Sequence, residues 1–196
     1  MKRIITRTLI TLALLCSLAL AQALAGERAH GSFTDSRDGK SYHTVKVGTL
    51  TWMAENLNYQ TDNSWCYDDN PGNCQKYGRL YDWNTATSAC PAGWHLPTRQ
   101  DWDNLVHAAG GNAAGIKLKS RSPNWNGTDD FGLSALPGGI RYTNGGFSYA
   151  GSYGNWWSAA ENGSGLAWFR RMTSDLDYVY EHYYVKGNGL SVRCVR

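Results

Sequence analysis

The sequence predicts a single domain of the α+β class. Short apolar groups that alternate with polar residues near both ends of the chain are typical of strands. A capped amphipathic pattern in the middle is typical of a helix. The 196 residues suit one ordinary domain, and a hydrophobic content of 42% is too high for a disordered chain. The 22 glycines and the abundant Trp and Tyr favour a fold with many turns.

The N-terminal segment has the pattern of a cleavable signal peptide. Basic residues at Lys2, Arg3 and Arg7 precede an apolar run over 9–20, which is shorter than the ~20 residues that span a bilayer. Small residues favour cleavage after Ala25. The alternative is an uncleaved membrane anchor. Cleavage predicts a secreted or cell-envelope protein without a membrane span, in which residues 26–32 are a linker and residues 33–196 form the domain.

The charge of the mature chain excludes some classes of partner. The whole chain carries +3, with 19 basic and 16 acidic residues. Removing the three basic residues of the signal segment leaves 16 of each sign. A neutral chain is not expected to bind nucleic acid or a membrane surface through bulk charge.

Four cysteines remain after cleavage, and an even number in an exported chain predicts two disulfides. Residues 68–73 are a dense turn signal, which pairs Cys66 with Cys74 and leaves Cys90 to pair with Cys194. Metal ligation is the alternative, but the sequence has no CxxC spacing or His cluster to support it.

The first half of the chain predicts a hairpin, a loop and helices in that order. The alternating stretch 44–53, broken by Gly48-Thr49, predicts a β-hairpin. Polar, turn-rich residues over 56–79 predict a loop that carries the short disulfide, and a short helix is expected over 84–89.

The clearest helix begins at Thr98, because Thr98 and Asp101 form a capping-box pattern. Trp102, Leu105, Val106 and Ala109 then share one face, and a glycine pair follows. A second short helix is expected over 113–118.

From residue 120 onward the sequence is rich in Gly, Asn, Ser and Tyr, and helix signals disappear. The short apolar groups in this loop-rich region predict strands at 133–136, 140–142, 156–159, 166–172, 179–184 and 190–195.

Six motifs occur in a fixed order: WMAENLNY at 52–59, YGRLYDW at 77–83, CPAGWHLPT at 90–98, DDFGLSALPGG at 129–139, WWSA at 156–159 and SVRCVR at 191–196. Together they resemble the Fibrobacter succinogenes major paralogous domain family, exported bacterial proteins without an established activity, over about residues 33–196. The resemblance implies a C-type lectin-like fold related to formylglycine-generating (sulfatase-modifying) enzymes. That fold has a small twisted antiparallel sheet, two flanking helices and a long loop-rich region.

The sequence does not predict an enzyme. His95 lies in a motif without a nucleophile elbow, so it is expected to belong to the extended segment before the helix. The formylglycine-generating chemistry needs a reactive cysteine pair that binds copper, whereas the four mature cysteines are predicted to be bridged. An enzyme of that branch remains the alternative.

No cofactor is expected, with structural calcium as the alternative. Calcium needs six to eight oxygen ligands. The adjacent carboxylates Asp129 and Asp130 lie in an oxygen-rich loop and are the candidate ligands. Aspartates in loops also stabilise turns through their own backbone. The Glu-Pro-Asn and Gln-Pro-Asp sugar-binding motifs of lectins are absent from the sequence.

Aromatic residues of the second half are the candidate ligand-binding residues, because Trp and Tyr combine a flat apolar face with a polar edge. They are Trp125, Tyr142, Tyr149, Tyr153, Trp156 and Trp157. The alternative is that these rings fill the core. In a strand Trp156 and Trp157 point to opposite faces, which predicts one buried and one exposed ring.

The resulting hypothesis is a non-catalytic binding module at the cell envelope or outside the cell. Its expected partner is a glycan or a cell-surface protein. The alternatives are an enzyme related to formylglycine-generating factors and a structural envelope component.

Overall fold

The computed structural model describes residues 30–196, so the predicted signal peptide at 1–25 lies outside the described residues. Strand β1 begins at His30 and pairs with β2, so residues 30–32 are in a strand rather than in the predicted linker. No helix within this described range is long and apolar enough to cross a membrane.

The fold is α+β, as predicted. Its strands are β1 His30–Thr34, β2 Ser41–Val47, β3 Leu50–Met53, β4 Ser64–Trp65, β5 Leu80–Tyr81, β6 Gly138–Arg141, β7 Phe147–Ala150, β8 Tyr153–Glu161, β9 Leu166–Thr173, β10 Tyr180–Val185 and β11 Leu190–Ser191. Its α-helices are α1 Pro71–Tyr77, α2 Trp83–Ala89, α3 Arg99–Ala108 and α4 Ala114–Leu118.

The strands form three sheets within residues 30–196. The largest has the order β10-β9-β8-β11-β5-β4, and the others are β1-β2-β3 and β6-β7. All pairings are antiparallel except that of β8 with β11. The large sheet is therefore mixed, and β10 and β4 are its edge strands.

The predicted hairpin, disulfides and helix α3 are confirmed. Val47 pairs with Leu50 across the turn between β2 and β3. Cys66 is bonded to Cys74, and Cys90 to Cys194. Thr98 caps α3, with its hydroxyl accepting from the Asp101 backbone N–H and the Asp101 carboxylate accepting from the Thr98 backbone N–H.

Residues 56–79 differ from the predicted loop, because they contain α1. Asn70 caps this helix by accepting from the backbone N–H of Gly72, and Pro71 occupies the first helical position. Proline fits that position because its missing N–H would have no helical partner there. The turn residues that predicted a loop therefore start a helix.

Two predicted strands are shorter or absent. The stretch 133–136 forms only an isolated bridge, between Ala135 and Lys119. In the stretch 190–195 the strand ends at Ser191, and Val195 then bridges Trp52 and His95. The C-terminus is thereby fixed against β3.

The core has two parts, which lie on the two faces of the large sheet. Trp157 and Phe169 belong to one, together with residues of β5 and α2. Trp156 belongs to the other, where its ring lies 6.3 Å from that of Trp102 in α3. Strand β8 is therefore covered on both faces.

Candidate functional site

The candidate site is a cleft on one face of strands β8, β9 and β10. Tyr153 pairs with Thr173, and Arg171 pairs with both Asn155 and Tyr180. Residues that are paired across antiparallel strands point to the same face, so these side chains lie together. The cleft has a volume of about 250 Å³. We call it the tyrosine cleft; it is lined by Tyr153, Arg171, Thr173, Asp175, Leu176, Tyr180 and His182.

Two pairs of tyrosine rings border the tyrosine cleft. The rings of Tyr149 and Tyr153 are stacked, with centroids 4.6 Å apart and planes 11° apart. Tyr149, from β7, is 49% exposed. The rings of Tyr178 and Tyr180 lie 4.2 Å apart, and Tyr178 is 39% exposed. Two of the three exposed large aromatic side chains of the described residues therefore lie here.

Arg171 is held in position by aromatic rings and by an amide. Its guanidinium carbon lies 5.1 Å from the centroid of Tyr153 and 5.7 Å from that of Tyr184, within the range of cation–π attraction. Its Nε donates to Oδ1 of the buried Asn155 at 2.8 Å. The Asn155 amide in turn donates to the carbonyl of Gly139. The guanidinium therefore has a fixed orientation.

A buried lysine anchors the turn that closes the tyrosine cleft after β9. The Nζ of Lys119 donates to the carbonyls of Thr173 and Leu176, both at 2.9 Å. Its ammonium group also lies 5.3 Å from the centroid of the Trp125 ring. Burial lowers the pKa of Lys119. The lysine positions the cleft wall but does not line the cleft.

Two tyrosines, Tyr180 at the cleft and Tyr142 in the segment after β6, have a raised pKa. Hydrogen bonding with Tyr178 raises the pKa of Tyr180 to about 12. Burial raises the pKa of Tyr142. A protonated phenol both donates and accepts hydrogen bonds. The cleft therefore combines aromatic faces with phenol hydroxyls, one guanidinium, one imidazole and one carboxylate.

Within residues 30–196, the structure offers no thiol for formylglycine-type chemistry, because all four cysteines there are bridged. His95, which was considered as a catalytic residue, is exposed, and its ring lies 3.3 Å from the Asp101 carboxylate at the start of α3. This contact places His95 beside the first turn of α3.

Of the six predicted ligand-binding aromatics, Tyr149 and Tyr153 lie at the tyrosine cleft, and Tyr142 is half-buried against the core cluster of Trp157 and Phe169. The three tryptophans do not lie at the cleft. Trp125, Trp156 and Trp157 are 1%, 1% and 0% exposed. Rings without solvent contact do not form a recognition surface, so these three tryptophans are not part of the candidate site.

The expectation that one of Trp156 and Trp157 is exposed was wrong because β8 is covered on both faces. The indole N–H of Trp157 donates to the carbonyl of Tyr81, and that of Trp156 donates to Oδ1 of Asn56, both at 2.8 Å. Trp125 donates likewise to the carbonyl of Ala135. All three indoles are satisfied inside the core.

The predicted calcium ligands are not joined by a third acidic residue. Asp129 accepts from the backbone N–H and the hydroxyl of Ser134, at 2.8 and 2.7 Å, and so closes its own turn. Asp130 is exposed. Over the described range no group of three His, Cys, Asp or Glu side chains is close enough to hold a metal ion.

Sequence reasoning missed the part of the site on β9 and β10. Tyr180, His182 and Tyr184 follow each other at every second position, which places them on one face of a strand. That alternation was the available signal. The predicted binding residues came from the loop-rich composition, whereas the site is built on strands. Arg171 had no signal of its own, since its role depends on pairing with β8 and β10.

A second opening, of about 560 Å³, lies beside the loop 121–128. It is lined by Arg121, Ser122, Pro123, Gly127 and Thr128. This surface has no aromatic ring, because the nearby Trp125 is buried beneath it. It therefore lacks the stacking surface that the tyrosine cleft offers.

The fold and site define a disulfide-linked α+β domain with an exposed aromatic cleft on its largest sheet. A profile of the Fibrobacter succinogenes major domain family matches residues 45–196, and the chain belongs to this family. The match includes every residue of the tyrosine cleft. No curated protein matches the chain.

Proposed function

We propose that the protein is an exported, non-catalytic binding module of C-type lectin-like architecture that recognises a glycan through the tyrosine cleft. The observation that carries this proposal is the stacked pair of Tyr149 and Tyr153 beside the guanidinium of Arg171, open to solvent.

The chemistry of the cleft suits a sugar ring. The C–H face of a sugar is apolar and packs on an aromatic ring, while its hydroxyls need donors and acceptors at the edge. Tyr149, which is 49% exposed, supplies the ring face, and Arg171, Asp175 and Tyr180 supply polar groups around the cleft. Tyr153, which Arg171 contacts, stacks against Tyr149 and holds its ring in place, which reduces the entropy lost on binding.

Location outside the cytoplasm is part of the proposal. Its support is the signal-peptide pattern at residues 1–25 and the two disulfides, which are typical of proteins in oxidising compartments. The cell envelope and the external medium both fit these observations.

A protein ligand is the second candidate. Its support is the exposure of Tyr149 and Tyr178 on either side of the cleft, because exposed tyrosines are frequent at the centres of protein interfaces. A structural envelope component would use the same surface for a permanent partner. An enzyme related to formylglycine-generating factors would need a free thiol.

The test is binding of the purified, disulfide-bonded protein to a glycan array and to insoluble cell-wall polysaccharides. We expect binding that Tyr153→Ala removes. The matched control is Tyr183→Ala, since Tyr183 is 46% exposed on the same sheet but points to the other face. Absence of binding to any glycan, or equal binding by the two variants, would contradict the proposal.

A further inference from the structure

We propose that the ligand of the tyrosine cleft is an acidic glycan, a polysaccharide containing uronic acid residues, whose carboxylate binds Arg171. This inference rests on the proposed function and narrows it to one chemical class of sugar. It is carried by the charge, the orientation and the surroundings of Arg171.

The positive charge of Arg171 is not neutralised by the protein. None of the ion pairs among residues 30–196 includes it. Its neighbour Arg170 points to the opposite face, where Nη2 lies 2.5 Å from the carboxylate of Asp103 and 2.9 Å from that of Glu181. Two consecutive arginines thus differ in kind: one is paired with two carboxylates, and the other faces the cleft without one.

Part of the guanidinium remains available to a ligand. Nε of Arg171 is used by Asn155, and Nη2 lies 3.4 Å from the hydroxyl of Tyr184. Nη1 donates to no residue of the described chain. Arginine has five N–H donors, and a carboxylate is the anion that matches two of them at once. The contacts with Asn155 and Tyr184 orient the group for that role.

The cleft has opposite charges at its two ends. Arg171 is beside Tyr153, whereas Asp175 belongs to the turn after β9, where its charge acts on Tyr180 and on the buried Lys119. A ligand carboxylate would be attracted to Arg171 and repelled from Asp175. Sugar hydroxyls can donate to Asp175. A uronic acid residue has a carboxylate at one position and hydroxyls around the rest of the ring. In one orientation its carboxylate binds Arg171 while a hydroxyl donates to Asp175.

The test compares polygalacturonate with its methyl-esterified form, which has the same chain but no charge on the sugar, at about 0.15 M salt so that bulk attraction is screened. We expect esterification to weaken binding by about tenfold or more, the usual range for losing a charge-assisted hydrogen bond. Arg171→Gln should bind both forms equally and weakly. The matched control is Arg141→Gln, because Arg141 also lacks an ion pair in the described chain and stacks on an aromatic ring, 4.0 Å from the centroid of Trp65, away from the cleft.

Each outcome bears on the proposal. If the wild-type protein does not distinguish the two forms, or if Arg171→Gln still does, the proposal is overturned. The comparison of the two polymers with wild-type protein does not depend on whether the variant folds. Binding to neutral glycans alone would overturn the acidic ligand and retain a glycan-binding cleft. Binding to no glycan would overturn the proposed function as well.

Discussion

Arg193 donates two hydrogen bonds to a single oxygen of Asn56, from Nη2 at 2.6 Å and from Nε at 3.1 Å, and both side chains are buried. The indole N–H of Trp156 donates to the same oxygen. The pair links the segment after β3 to β8 and to the C-terminal segment, and it joins the sequence motifs at 52–59, 156–159 and 191–196. These three residues of the motifs therefore maintain the fold.

We expect Arg193→Met to lower the free energy of unfolding by at least ~3 kcal/mol, because it leaves the buried carbonyls of Met53 and Leu133 without this donor and Asn56 with only the indole N–H of Trp156. Burial lowers the pKa of Arg193 to about 10, so the wild-type side chain is still charged at neutral pH. Urea unfolding followed by tryptophan fluorescence measures the loss. The control is Arg196→Met, since Arg196 is exposed. Equal losses in the two variants would contradict the account.

The two disulfides are expected to contribute unequally to stability. Cys90–Cys194 joins residues 104 apart in sequence and Cys66–Cys74 joins residues 8 apart. On the chain-entropy relation, replacing each pair by serine costs about 5 and about 2.5 kcal/mol respectively. Thermal unfolding of the two double variants tests the order. Alkylation of the native protein should label none of these four cysteines, and labelling of Cys90 or Cys194 would reopen the case for an enzyme.

Lys119→Met is expected to destabilise the protein by about 1–3 kcal/mol and to weaken ligand binding. The substitution leaves the carbonyls of Thr173 and Leu176 without the donor that holds the cleft wall. Lys117→Met, at a position two residues earlier and inside α4, is the control. Hydrogen exchange should rise over residues 173–177 in the Lys119 variant alone. Unchanged exchange in that segment would contradict the anchoring role.

Acid should weaken the contribution of Asp35 to stability. Three hydrogen bonds from the Arg37 guanidinium, at 2.9, 3.2 and 2.7 Å, hold the pKa of the buried Asp35 carboxyl below its ordinary value of 3.8. The ionised Asp35 carboxylate makes its full contribution to the free energy of unfolding above its ordinary pKa of 3.8. This contribution is lost as the pH falls through the lowered pKa of the folded state. The difference in unfolding free energy between wild type and Asp35→Asn should therefore be constant above about pH 5 and narrow towards about pH 2. A constant difference throughout would contradict this assignment.

The local elements could be predicted from the sequence because their signals are local. The Thr98 cap, the hairpin turn at Gly48 and the turn between Cys66 and Cys74 each depend on a few neighbouring residues. Helix α1 was missed for the opposite reason, because Asn70 and Pro71 favour both a loop and a helix start. The sequence does not distinguish the two where no apolar periodicity follows.

The site could be predicted only in part. Tyr149 and Tyr153 were identified by composition, whereas Trp156 and Trp157 were misassigned because their burial depends on what covers each face of β8. Arg170 and Arg171 illustrate the same limit: they are adjacent and chemically identical, and only the pairing of β9 with its neighbours decides which is neutralised and which faces the cleft.

NMR chemical-shift mapping of the protein titrated with a soluble uronic acid oligomer would locate the binding surface residue by residue. We expect the largest shifts at Tyr149, Tyr153, Arg171 and Tyr180, with Tyr183 and Val185 on the other face unchanged. Shifts concentrated around the loop 121–128, or no shifts at the tyrosine cleft, would contradict this expectation.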